Sequence, residues 1–146
     1  MWQRPVLALG NFDGLHRGHA AIINRVRGRA NERGVLPIAL TFDPHPPRVI
    51  RPDKAPELLM TATQKFEALT AAGIDGIAVV RFTEEMSRWA PERFVINTLV
   101  EWLNVSEVWV GANFLFGHER AGNFSLLRER GARYGFRAGK IEPVRY

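Results

Sequence analysis

There is no cysteine anywhere in the chain, and that one absence removes disulfide bracing, thiolate chemistry and cysteine-bound zinc together. Such a chain suits a reducing cytoplasm. No run approaches the roughly 18 consecutive apolar residues that a membrane-spanning helix needs, and the opening MWQRPVLALG holds no long hydrophobic region of the secretory type. A cytoplasmic location with no membrane association is therefore expected. Neither a Walker A sequence nor a G-x-G-x-x-G occurs, so the familiar phosphate loops are out. Repeats and low-complexity tracts are missing too. Apolar residues make up 46% and charged residues 24% of the 146, which is enough to bury the core of one ordinary globular domain and too few charges for disorder.

The charge that is present is unevenly spread. Net charge is +5 with a pI near 10.4, which invites a nucleic-acid reading. Residues 17–33 hold five Arg and one Glu, and residues 117–146 hold seven Lys/Arg and three Glu, whereas residues 34–116 carry seven Lys/Arg against ten Asp/Glu. The excess is local, so a uniform basic coat is excluded. Two basic segments flanking an acidic middle can face a polyphosphate ligand. Arginines on solvated helix faces explain them equally well.

Short apolar runs at residues 5–10, 36–42, 77–82 and 106–111 predict strands covered on both faces, with a last strand near FRAGKIEPV. Between them the apolar spacing is helical. Ile22, Ile23, Val26 and Ala30 form one stripe, which Gly34 ends. Thr61 and Gln64 have the spacing of a capping box, with Phe66 and Leu69 or Thr70 behind them and Gly73 closing the helix. Pro91 suits a first helical turn ahead of Phe94, Val95, Leu99 and Leu103. FSLLRERGARYG predicts a final helix. Strict alternation of strand and helix implies an α/β fold, a parallel sheet of about five strands with helices on both faces. In such sheets ligands bind beyond the carboxyl ends of the strands, where the strand order reverses.

Three unusual segments follow predicted strands at that end. The first is LALGNFDGLHRGHAAII, residues 7–23. Gly10 and Gly14 let a backbone approach a ligand closely, and a helix starting near His16 or Gly18 presents unpaired N–H groups at its positive end. His16 and His19 share a helix face and can both aim at an anion there. Capping of the helix, or a metal pair, is the plainer reading, although two His without Cys or a nearby Glu make a poor zinc site. The second segment, TFDPHPP at residues 41–47, is stiffened by Pro44, Pro46 and Pro47. It can wall a planar ring or simply be a rigid connection. The third is VGANFLFGHERAG at residues 110–122, in which Asn113 supplies donor and acceptor and Phe114 or Phe116 can stack on a ring. Core packing is the alternative for both rings and is favoured for Phe114. It is favoured for Phe94 as well, and Trp89, Trp102 and Trp109 are expected to pack.

GNFDGLHRGH resembles the Gly-Asn-Phe-Asp-Gly…His-x-Gly-His signature of the nucleotidylyltransferases, and among them the bacterial FAD synthetases, the FMN adenylyltransferase module of bifunctional riboflavin kinase/FAD synthetases. TFDPHP and VGANFLFG resemble the same family in the same order, so the likeness covers essentially the whole chain. It implies a Rossmann-like nucleotidylyltransferase fold and transfer of AMP from ATP to FMN with Mg²⁺, giving FAD and pyrophosphate. By that resemblance Gly10, Asn11, Phe12, Asp13, Gly14, Gly18 and the two histidines bind the nucleotide. His16 and His19 then take the α- and β-phosphate oxygens. Pro44, His45 and Pro46 lie on the flavin side with Phe116, and Asn113 positions the reacting phosphate of FMN. No metal ligand is indicated.

The family also carries a Ser/Thr-x-x-Arg motif after the fifth strand. This sequence stops at KIEPVRY, about where that motif should begin, and Arg145 has no Ser/Thr partner at the matching spacing. The expectation is a domain of residues 1–146 cut short at its carboxyl end, with no riboflavin kinase domain. Other readings are an adenylyl- or cytidylyltransferase with another acceptor, or a flavin- or nucleotide-binding module without turnover. ATP and FMN are the expected partners. A nucleic-acid partner would rest on charge alone and is not expected.

Overall fold

The computed structural model describes residues 2–10, 12, 17–43, 61–111, 114, 116–117 and 121–141. Along the chain come β1 (Val6–Leu9), α1 (Arg17–Arg33), β2 (Pro37–Phe42), α2 (Ala62–Ala71), β3 (Gly76–Val80) and α3 (Glu84–Ser87). Then follow α4 (Pro91–Phe94), which runs on as a π-helix (Val95–Trp102), β4 (Glu107–Gly111), α5 (Phe124–Tyr134) and β5 (Arg137–Ile141). All strand pairs are parallel and the order is β3-β2-β1-β4-β5. The order reverses between β1 and β4, so the crevice expected of this topology opens beyond Leu9 and Gly111.

Alternation along each strand divides the core in two. Leu7, Leu9, Ile38, Leu40, Val108 and Val110 face α4, its π-helical continuation and α5, where they meet Phe94, Val95, Leu99 and Leu127. Val6, Ala8, Ala39 and Trp109 face α1 and α2, where they meet Ile22, Ile23, Val26, Ala30 and Leu69. Helices thus cover both faces, as the continuous apolar runs require. Among the described residues no helix is long and apolar enough to cross a membrane.

Local signals set the helix ends. The Thr61 hydroxyl accepts from the Gln64 amide at 3.1 Å while the Gln64 side chain accepts from the Thr61 amide at 2.9 Å, a complete capping box. Pro91 occupies the first turn of α4, and Gly34, Gly73 and Gly135 all take positive φ just past helix ends. Four features differ from expectation. Thr83 caps a short helix, α3, by accepting from the Met86 amide at 3.1 Å. The predicted helix over residues 90–103 is α-helical only to Phe94. Beyond it the amide of Leu103 bonds the carbonyl of Thr98, five residues back, because apolar residues at steps of four (Val95, Leu99, Leu103) line up better on a wider helix. Trp102 is 40% exposed rather than packed, while Trp109 is buried. Phe66 is only half-buried, and the charged neighbour Lys65 is buried in its stead.

One buried charge organises the α1 face. Glu107, at the first position of β4, is wholly inaccessible, and Arg29 grips both of its oxygens, Nε to Oε1 at 2.9 Å and Nη2 to Oε2 at 2.6 Å. Arg33 Nε reaches Oε2 at 2.5 Å, and the Trp109 indole N–H donates to Oε1 at 2.9 Å. Burial pushes the Glu107 carboxyl up, but donors from Arg29, Trp109 and Arg33, with the Arg29 charge, outweigh it and bring its pKa down to about 2. The Trp109 ring in turn lies over Gly139 of β5, where a Cβ would come within 2.4 Å of it.

A carboxyl whose folded-state pKa lies below its unfolded value of 4.5 favours folding at any pH above that value, and the contribution fades as the pH falls toward the folded-state value. A shift of this size corresponds to about 3 kcal/mol. Glu107→Gln is therefore expected to unfold more easily at pH 7, by about 3 kcal/mol or more since two guanidinium groups lose their anion. Its stability should also decline less steeply than that of the parent between pH 4.5 and pH 2. Urea melts of both proteins at pH 7, 4 and 3 check this; parallel pH profiles would contradict it.

Candidate active site

At the crevice, β1 continues its ladder by one residue, the Gly10 amide donating to the Leu40 carbonyl at 3.5 Å. Phe12 follows with φ of +55°, a left-handed backbone that a bulky side chain adopts only when its surroundings hold it there. They do: the ring is wholly buried among Ile22, Ile23 and Val26 of α1 and Val6 and Ala8 of β1. A Cβ on Gly10 would stand 3.4 Å from that ring, so Gly10 lies directly against it. The ring of His19, third residue of α1, meets the Phe12 ring edge-on, centroids 5.1 Å apart and planes at 61°. Phe12 thereby braces Gly10 at the end of β1 and His19 in the first turn of α1, whose open N–H groups lie at the switch point.

On the opposite face the carboxyl ends carry a chain of phenylalanines. Phe82, just past β3, meets Phe42 at the end of β2 at 5.7 Å, and Phe42 meets Phe94 at 6.2 Å. Phe94 meets Phe116 at 5.8 Å, and Phe116 stacks on Phe114 at 5.8 Å with the planes only 16° apart. Phe116 and Gly122 exchange backbone hydrogen bonds at 3.1 and 2.7 Å, and a Cβ on Gly122 would stand 2.8 Å from the Phe116 ring. Glycine there leaves room for the ring to turn inward.

Of the expected site residues, the structure brings Gly10, Phe12, the backbone of Gly18 and His19 together at the amino end of α1, and Phe116 to the aromatic chain. Asn11, Asp13, Gly14, His16, Pro44, His45, Pro46 and Asn113 lie outside the described residues. Phe12 belongs to the core, where its side chain supports the backbone beyond β1 from below. Phe116 is 9% exposed and Phe114 is half-buried, the reverse of the preference for Phe114 as the core ring, because the Phe116–Gly122 bridge draws Phe116 down onto Phe94.

Sequence reasoning missed Phe42, Phe82 and Lys65. The ammonium of Lys65 is buried and donates to the Thr41 hydroxyl at 3.2 Å, which puts a cation beside the carboxyl end of β2. Only the helical phase of Lys65, one turn before Leu69, hinted that it faces inward. Among the described residues the arrangement pairs a helix end receptive to anions with an aromatic wall on the other face of the sheet.

Comparison with known proteins gives a consistent result. A family model described as FAD synthetase matches residues 1–146. The bifunctional riboflavin kinase/FMN adenylyltransferase of Escherichia coli (strain K12) is 36% identical over 131 residues, covering 90% of this chain and 42% of that protein. The Pseudomonas fluorescens protein of the same name is 39% identical over 141 residues, covering 95% and 44%. The chain thus spans less than half the length of these curated relatives. Among solved structures, one described as a macrolide-efflux protein from Streptococcus pneumoniae superposes with a TM-score of 0.81 at 18% identity, over all of this chain and 48% of that one. At that identity the likeness is one of fold.

Phe12→Ala removes the buried ring beneath the turn and is expected to destabilise the protein by about 3–5 kcal/mol. Gly122→Ala should displace the Phe116 ring, where a Cβ would stand 2.8 Å from it, and leave the α1 end intact. Thermal melts of both variants measure the loss of stability, and the amide signals of Gly10 and His19 should move in Phe12→Ala but not in Gly122→Ala.

Proposed function

The chain belongs to the FAD synthetase family, and from that membership we propose that it transfers AMP from ATP to FMN, forming FAD and releasing pyrophosphate. One observation supports this above the others: the amino end of α1 and the phenylalanine chain meet at the same strand ends, on the two sides of one switch point. A phosphate tail suits the first surface and a flavin ring the second.

A phosphate oxygen of FMN attacks the α-phosphorus of ATP; the new P–O bond forms as the bond to the bridging oxygen breaks, and pyrophosphate leaves with that electron pair. The attacking group is already anionic, so no serine, cysteine or lysine nucleophile is required. What remains for the protein is alignment and stabilisation of developing charge. His16 and His19 take oxygens of the α- and β-phosphates, with the open amides of α1 from Gly18 onward and the turn of Gly10, Asn11, Phe12, Asp13 and Gly14. A phosphate neighbour favours the protonated imidazole, which donates from both nitrogens. Asn113 orients the FMN phosphate, and Pro44, His45, Pro46 and Phe116 hold the flavin.

Mg²⁺ accompanies ATP in this reading and would neutralise charge on the phosphates. Such an ion is commonly held by substrate phosphates with one or two carboxylates. The setting is the cytoplasm, with ATP and FMN as partners and neither nucleic acid nor membrane required.

Incubation with ATP, FMN and Mg²⁺ is expected to yield FAD and pyrophosphate, resolved by chromatography. Binding of both substrates without FAD would reduce the proposal to a binding module. His19→Ala should lower turnover about a hundredfold with ATP affinity little changed, as for a group acting on transition-state charge. Undiminished turnover would remove His19 from the role.

A further inference from the structure

A groove of about 540 Å³ runs along the edge strand β5, between α1 and α5. Arg25 comes to it from α1, Arg128 from α5, and Arg137 and Lys140 from β5; Trp109 and Phe124 supply aromatic surface, and no Asp or Glu is among the described residues that line it. The two basic segments of the sequence, separated by the acidic middle, thus converge here.

The same elements show what these cations would otherwise do. Arg29 and Arg33 of α1 are bound to Glu107. Arg130 and Arg133 of α5 lie on Glu92 at 3.3 and 3.8 Å. Arg25, Arg128 and Arg137 have no carboxylate partner among the described residues. Arg25 lies over the Trp109 ring at 5.0 Å, and the Lys140 ammonium lies over Phe124 at 5.4 Å. The guanidinium groups of Arg25, Arg128 and Arg137, gathered in one groove, repel one another until an anion joins them. Guanidinium groups match phosphate oxygens in geometry, and the volume lies in the range of nucleotide-sized ligand sites. Arg25 stands six residues beyond His19, about 9 Å along the helix, so the groove is not the crevice seen from another side.

We propose that this groove is a second ligand site and that it takes a nucleoside di- or triphosphate by its phosphate tail. It does not depend on the reaction proposed above and is read independently of it.

The test is a titration of the ¹⁵N-labelled protein with ADP, inorganic tripolyphosphate and adenosine, following the Trp109 indole N–H and the Gly139 amide. Saturable shifts of both signals are expected with ADP and with tripolyphosphate, and none with adenosine. The double substitution R128Q/R137Q should weaken those shifts about tenfold or more, as expected for loss of two charge-assisted contacts. Its melting temperature and FAD formation should remain those of the parent. Shifts confined to Gly10 and His19, or affinity untouched by the double substitution, would overturn the proposal. So would binding of tripolyphosphate without ADP, or a single-stranded oligonucleotide binding more than tenfold tighter than ADP; the latter would make the groove a nucleic-acid surface.

Discussion

Everything at the crevice depends on how α1 is held. A helix of 17 residues is a rod of about 25 Å, and its amino end can serve phosphate only if the rod cannot slide or roll. Two contacts prevent that. Near its carboxyl end Arg29 and Arg33 close on Glu107, a carboxylate with no access to water, and at its amino end the Phe12 ring fills the space between α1 and β1. The clamp also places two cations near the negative end of the helix dipole, which favours them. Its anchor, Glu107, starts the strand that borders the switch point. The element that would receive phosphate is therefore tied to the strand across the crevice from the one it follows.

Side-chain alternation gives the sheet two different surfaces. On the α1 face β1 contributes small or medium residues, Val6 and Ala8, which lets α1 approach closely and leaves room for Phe12. On the other face Leu7, Leu9, Ile38 and Leu40 build a thicker layer that carries the phenylalanine chain at its upper rim. A polar helix end and an aromatic rim on opposite faces of one sheet are brought together only where the strands stop. The parallel order β3-β2-β1-β4-β5 puts that meeting point between β1 and β4.

Much of this was legible in the sequence, and the unread part has a common cause. Strands, helix ends and caps are local: the run at Val6–Leu9, the Thr61–Gln64 box, Pro91 and Gly34 each carry their own signal within a few residues. Gly10 and His19 were legible because a glycine turn before a helix has a chemistry of its own. Glu107 was not, since a charged residue opening a strand reads as solvent-facing until two arginines 74 and 78 residues away are folded against it. Lys65 was hidden in the same way behind Thr41. The order of burial of Phe114 and Phe116 is set by Gly122, whose missing side chain is informative only once the bridge has formed.

The basic composition also divides by position on the helices. On α1, Arg29 and Arg33 are consumed by structure, while Arg25, one turn earlier than Arg29, turns to the Trp109 ring and the groove. On α5, Arg130 and Arg133 gather around Glu92, which also accepts from the Tyr134 hydroxyl at 2.6 Å and so ties α5 to α4; Arg128 faces the other way. On these two helices Arg29, Arg33, Arg130 and Arg133 are neutralised where the helix meets another element, whereas Arg25 and Arg128 turn toward β5. A net charge spread for solubility alone would mix signs on each face. The segregation seen here concentrates positive potential at one edge, where the field acts on a phosphate arriving from solvent before any contact is made.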